Sequence, residues 1–381
     1  MHSRDAFWLA PHLPFFLLAA LWAGLVPLVW LVPGLVCDPV AWHRQELVLG
    51  FAGAAMAGYL MTALPHWTGV SGVKPGVTGA LVAAWVLGRG LGLPCLPDAL
   101  ALAGLWLFPL GLTAALLLPV LAARTYGRVP MALAPLGLVA IAARMRLEGD
   151  GLTAALGMAL LVALVGGRII PAFLRARADG DTTSRLSVPV AGRVADLTLA
   201  LALAAHLAGL PLRLTGGLLL AAGLGQALRV TGWALASALR GGGLDLLALL
   251  LAWAWLSAGL ALVGLSHGFS ASLPLPTALH GLTMGLMGSM ILAVMARAWA
   301  RRVPGALRLG PLLSLALALL HLATFLRLFL SDPGLSALCW SAGWALAAAL
   351  ALASLFRPMP RPVLSARRLP RPAPKALSGD I

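Results

Sequence analysis

The amino-acid sequence predicts an all-α protein, a polytopic transmembrane helix bundle of about twelve spans with both termini cytoplasmic. Three observations carry that expectation. Hydrophobic residues make up 61% of the chain and charged residues 10%, with mean hydropathy +0.95; a soluble domain devotes about a quarter of its residues to charge. Apolar runs recur at roughly 20 residues, the length a helix needs to cross the hydrocarbon layer. The cations gather on alternate loops, as they do when short cytoplasmic loops retain Lys and Arg.

The first run, 13–33, is too long for a cleaved signal and lacks a small-residue cleavage pattern after it, so it is expected to stay as a span. The second, 45–65, opens with Trp42-His43-Arg44-Gln45-Glu46 and carries Gly50, Ala54 and Gly58 at every fourth position. Small side chains at that spacing let another helix approach closely. It closes on Pro65-His66-Trp67, which suits aromatic anchoring at a membrane interface. Runs follow at 75–94, 98–122, 129–145, 151–173, 187–208 and 212–236, of which 129–145 is the weakest, being short and interrupted by Pro130 and Pro135. Within them Arg193 and Asp196, three apart, are expected to form an intramembrane pair, and Arg229 to find Gln226 or backbone carbonyls. The remaining runs are 244–266, 273–297, 309–331 and 336–356. Residues 1–356 therefore form one transmembrane domain. Residues 357–381, rich in Pro and Arg, are expected to be a disordered basic cytoplasmic tail.

Orientation follows from Lys74, Arg124, Arg128, Arg175, Arg177, Arg185, Arg240, Arg297, Arg301, Arg302, Arg308 and the tail, all on one side, against far fewer cations on the other. The formal charge of +15 is thus a topology signal and an attraction to the lipid bilayer; charges spread over short loops do not make a nucleic-acid surface. Cys37, Cys95 and Cys339 fall near the non-cytoplasmic face. In a bacterial periplasm two of them could oxidise; their odd number and the lack of a CxxC argue against a redox motif and favour three isolated small apolar residues.

This threading brings His43, His206, His267 and His280 to one membrane face, as a metal or haem site there requires. His43 and Glu46, three apart, are expected to share a helix face, where a carboxylate can fix an imidazole tautomer and assist proton transfer. In the tenth run His280, Met284 and Met287 line one face while Gly281, Gly285 and Gly288 leave room for a planar group or a neighbouring helix. Imidazole and thioether are ligands for haem iron or Cu(I). His206 and His321 lie within spans, where ionisable groups face the bundle interior, and Arg327 is placed to neutralise a haem propionate. A transporter remains the alternative, with His43, Glu46 and Arg193 along a proton or substrate path and no prosthetic group; the absence of an obvious two-half repeat speaks against it.

Pro14-Phe15-Phe16, Trp42-His43 with Glu46, Gly50-Phe51 through Gly58-Tyr59-Leu60, Trp67-Thr68-Gly69, Gly166-Gly167-Arg168 with Pro171, and His280 through Thr283, Gly285, Gly288, Met295 and Arg297 resemble the landmarks of the NnrS family, in order and over most of the spans. The resemblance implies a multi-pass protein of the bacterial inner membrane that carries haem, b-type by expectation, and copper, and that serves the response to nitric oxide and nitrosative stress in denitrification. Its ligand would be nitric oxide or a related small molecule, and the sequence identifies no electron donor. On this reading His43, His206, His280, His321 and Arg327 are the cofactor-binding candidates, His43, His280, Met284 and Met287 the metal ligands, and Glu46 the protonatable catalytic group. Two departures stand out. The family favours His-x-His-Glu where this chain has Gln45, and a His-Thr-Gly-Arg element where this chain reads Ala300-Arg301-Arg302-Val303-Pro304. They lead to the expectation that copper is dispensable or absent.

Overall fold

The computed structural model describes residues 7–32, 34–69, 72–177, 189–238, 243–269, 272–303 and 306–356. The expected tail, Arg185 and Arg240 lie outside them. Twelve long helices run through the described residues: α1 His12–Trp30, α2 Pro39–Thr68, α3 Pro75–Leu91, α4 Asp98–Ala122, α5 Val129–Glu148, α6 Gly151–Arg177, α7 Pro189–Leu207, α8 Leu212–Ala238, α9 Leu244–Phe269, α10 Leu275–Trp299, α11 Pro311–Leu330 and α12 Pro333–Phe356. Each overlaps one of the apolar runs. Ten are long and apolar enough to cross a membrane, which makes this a multi-pass membrane protein; α3 and α7 fall outside that set. A small antiparallel hairpin, β1 Arg301–Val303 and β2 Ala306–Arg308, follows α10.

Few acids are present, and several start helices. The Asp38 carboxylate accepts from the Ala41 amide at 3.0 Å, Asp150 from Thr153 at 2.9 Å and Asp332 from Leu335 at 2.9 Å. They cap α2, α6 and α12 and place negative charge at the positive end of each helix dipole. Pro39, Pro75, Pro130 and Pro311 occupy first-turn positions, where a missing N–H costs nothing. The weak run around Pro130 is therefore a full 20-residue helix.

The interior is built on α2 and α10. Of their apolar windows 78% and 72% are buried, against 28% for α5 and α8, so the other helices form the lipid-facing shell. Small residues set these approaches. A side chain at Gly58 would run into Phe16 and one at Gly50 into Trp22, so the Gly50-Ala54-Gly58 stripe seats α1 against α2. On the other side Gly216 meets Gly264 and Gly268, letting α8 and α9 touch backbone to backbone. The ring closes through α12, whose Trp340 Nε1 donates to the Ala23 carbonyl of α1 at 2.8 Å.

Both central helices change geometry at one end. Glu46–Ala52 of α2 and Gly281–Gly288 of α10 are π-helical, and Leu326–Leu330 of α11 is the third such segment among the described residues. A π turn accommodates an extra residue and frees backbone groups, and such turns occur frequently at functional sites.

Candidate functional site

All three π segments border one cavity of about 410 Å³, within the range of small-ligand and cofactor pockets. Leu47 and Val48 reach it from α2, Thr283, Met284 and Met287 from α10, and Arg327 from α11; α6 and α12 complete its wall. His43 and His280 both line it, so two of the four histidines expected at one face share a single chamber.

His280 is held in a defined tautomer. Its Nδ1 lies 2.7 Å from the Pro276 carbonyl oxygen, and a carbonyl only accepts. Nδ1 therefore carries the proton and Nε2 the lone pair, the arrangement a metal-ligating imidazole needs. His43 is steadied instead by packing, its ring 5.5 Å from Trp30 edge to face, and its Nδ1 is buried without a hydrogen-bond partner. Such an orphaned ring nitrogen is costly unless something else satisfies it.

The charge of the cavity is one-sided. Arg44 and Arg327 line it, and among the described residues no carboxylate does. Arg44 is anchored by donation to the Gly149 carbonyl at 3.1 Å. Two guanidinium groups beside two imidazoles leave a site that favours an anionic partner. Below it, between the same helices α2, α6 and α10, lies a second, almost wholly apolar cavity of about 130 Å³, lined in part by Met56, Met131, Met158, Met290 and Met295.

Glu46 is elsewhere. Its side chain is fully buried, with Oε2 accepting from Trp22 Nε1 at 2.7 Å and from Arg89 at 2.8 Å, and Oε1 from Gln45 at 3.3 Å. Trp22 of α1 and Arg89 of α3 capture the carboxylate away from the His43 cavity. Gln45 points the same way, donating to the Gly92 carbonyl, so a histidine at position 45 would not have lined this cavity. The other departure from the family pattern, at Arg302, lies in the hairpin after α10, at the far end of that helix from His280.

His206 and His321 do not line the cavity. His206 Nε2 sits 3.2 Å from Asp150 and its ring is 5.8 Å from that of His267, forming a second polar cluster at the same end of the bundle. Burial raises the Asp150 carboxyl. The Thr153 hydroxyl and amide, with His206 beside them, more than reverse this and hold it at about 2. His321 accepts at Nδ1 from Trp255 Nε1, 3.1 Å away. The convergence of His43, His206, His267 and His280 at one end is therefore real, divided between two clusters.

Three expectations are corrected. The glycines of α10 leave no free room: Gly285 is filled by Trp255, Gly288 by Trp340, and Gly281 abuts Gly259. They serve helix packing, and the open space lies on the His280–Met284–Met287 side. Cys37 and Cys95 are joined in a disulfide, with Cα atoms 6.1 Å apart, within the range a bridge requires; only Cys339 is free. The bridge ties the loop before α2 to the loop between α3 and α4. The third concerns Asp196, which pairs across helices with Arg229 at 2.9 Å and accepts from Gln226 at 2.9 Å.

Sequence reasoning missed Arg44 as a site residue, counting it only as a loop cation; its place next to His43 was the available signal. Among the described residues no three His, Cys, Asp or Glu side chains gather as a metal site of their own. Two imidazoles suffice for a metal whose remaining ligands come from a macrocycle, and the donor set at this cavity fits haem: two imidazoles, two arginines for its carboxylates and apolar walls. A family model described as NnrS protein matches residues 6–359. No curated protein matches the chain.

Proposed function

The chain belongs to the NnrS family, and from that premise we propose that it is a haem-containing inner-membrane protein of the nitric oxide response, with its cofactor at the His43–His280 cavity. The observation that carries this reading is His280. Its proton is committed to Pro276, which leaves Nε2 as a ligand atom in a chamber shared with a second imidazole.

His280 would hold the iron from α10, His43 of α2 would supply a second imidazole that gives way when a diatomic ligand binds, and Arg44 and Arg327 would pair with the two propionates. The group, when bound, supplies an iron centre that binds diatomic nitrogen oxides. The protein's own contribution is to orient the ligand imidazole, fix anionic groups and exclude water. The apolar methionine-lined cavity beneath adds an uncharged approach from the bilayer for a small gas. Among the described residues no carboxylate lines the chamber, and Glu46 is committed to three donors. A reduction that consumes protons is therefore poorly served, and the reading favours reversible binding over turnover.

Met284 and Met287 support a second metal reading. With His43 and His280 they make a set of two imidazoles and two thioethers, soft enough for Cu(I). The transporter alternative has less support, because His43, Glu46 and Arg193 lie in three separate places: the cavity, the Arg89 pair and the wall of another groove. The test is the absorption spectrum of the whole purified protein with metal analysis. Haem gives a Soret band that moves on adding nitric oxide to the reduced protein; a colourless, iron-free and copper-free preparation from haem-replete cells would overturn the reading.

A further inference from the structure

A third cavity, independent of the histidines, lies on the flank of the bundle. We propose that this groove between α6, α7 and α8 binds one anionic phospholipid, with the phosphate among arginines and an acyl chain along exposed leucines. Its volume is about 700 Å³. Arg168 sits about 26 Å along α6 from Gly151, and Arg229 about as far along α8 from Leu212, so the groove lies at the end opposite the histidines, where the sequence places the cytoplasmic leaflet.

The charge of the groove is the first argument. Among the described residues Arg168, Arg175, Arg193 and Arg229 line it with one carboxylate, Asp196. That carboxylate is already engaged: Arg229 pairs with it at 2.9 Å and also stacks on Trp233 and Trp253, 4.9 and 5.1 Å from the ring centres. Arg168 and Arg175 are exposed and have no partner among the described residues. Cations at the hydrocarbon edge are costly unless an anion meets them, and a phosphate is the anion that a membrane supplies there.

The second argument is the rest of the wall. Toward the middle of the membrane the groove is lined by Leu164, Leu197 and Leu228, exposed by 43%, 60% and 62%. A free phosphate has no use for that surface, whereas a lipid matches both ends of the groove.

Native mass spectrometry of the full chain in neutral detergent, titrated with phosphatidylglycerol or with phosphatidylcholine of the same chains, tests this directly. The wild type should retain one phosphatidylglycerol in preference to phosphatidylcholine. Arg168→Gln with Arg175→Gln should weaken retention roughly thirtyfold, from two lost surface cations. Ala200→Trp, which fills the apolar part, should also reduce it. Equal retention of the two lipids in the wild type, a comparison that needs no variant to fold, would overturn the proposal, as would an unchanged double variant. Retention of inorganic phosphate at millimolar concentration with neither lipid retained, and Ala200→Trp behaving as wild type, would also overturn it, showing an anion site that takes no lipid.

Discussion

His43 and Glu46, three residues apart, have opposite fates because Arg89 and Trp22 claim the carboxylate while the imidazole turns to the cavity. Glu46 is thus half of a buried ion pair, and removing one partner strands the other charge. Glu46→Gln should destabilise the protein by about 3–5 kcal/mol, read as a lowered melting temperature, and Glu46→Leu with Arg89→Leu should recover most of it. A Glu46→Gln protein of native stability that has lost its nitric oxide chemistry would instead make Glu46 the catalytic group the sequence suggested. Asp150 carries a pH dependence of known sign. Its folded-state value of about 2 lies below the ordinary 3.8, so its stabilisation is complete above about pH 4 and is lost as pH falls toward 2. The wild type should therefore lose stability over that window more steeply than Asp150→Asn, and equal slopes would remove Asp150 from the account. At this scale the sequence marked His43, His280, Met284, Met287 and Arg327, all of which line the cavity. It could not mark the Arg89–Glu46 contact, which joins helices 43 residues apart.

The helices α2 and α10 carry the site because both are interior and both switch to π geometry beside their histidine. Nothing in local sequence announces that switch, nor which of the two uses expected of the α10 glycines, a planar group or a neighbouring helix, the fold takes. Gly285 and Gly288 admit Trp255 and Trp340. Gly288→Ala should cost about 1–3 kcal/mol by forcing Trp340 aside, measured as a drop in thermal stability, and no change would show that the tryptophan yields freely. Met284→Leu with Met287→Leu separates the two metal readings. It should leave a haem spectrum in place and abolish any tightly held copper; persistent stoichiometric copper in this variant would remove the thioethers from the metal site.

For the whole molecule, the helices were legible because membrane spans are written in long apolar runs, and the alternating cations predict their direction. The disulfide was not, since pairing Cys37 with Cys95 depends on two loops meeting at one end, and an odd cysteine count points away from it. Reporter fusions at Arg177 and Arg302 should report the cytoplasm and fusions at Gly268 and Pro333 the opposite side; a cytoplasmic signal at Gly268 would invert the placement of the histidine cavity. The most direct test of the central claim compares the spectra of His280→Ala and His321→Ala, prepared from membranes holding equal amounts of inserted protein. One imidazole contributes little to the burial of a bundle this size, so both variants should insert normally. His280→Ala should lose or shift the Soret band and most of the bound iron, and His321→Ala, outside the cavity, should keep the wild-type spectrum; an unaltered spectrum in inserted His280→Ala would contradict the account.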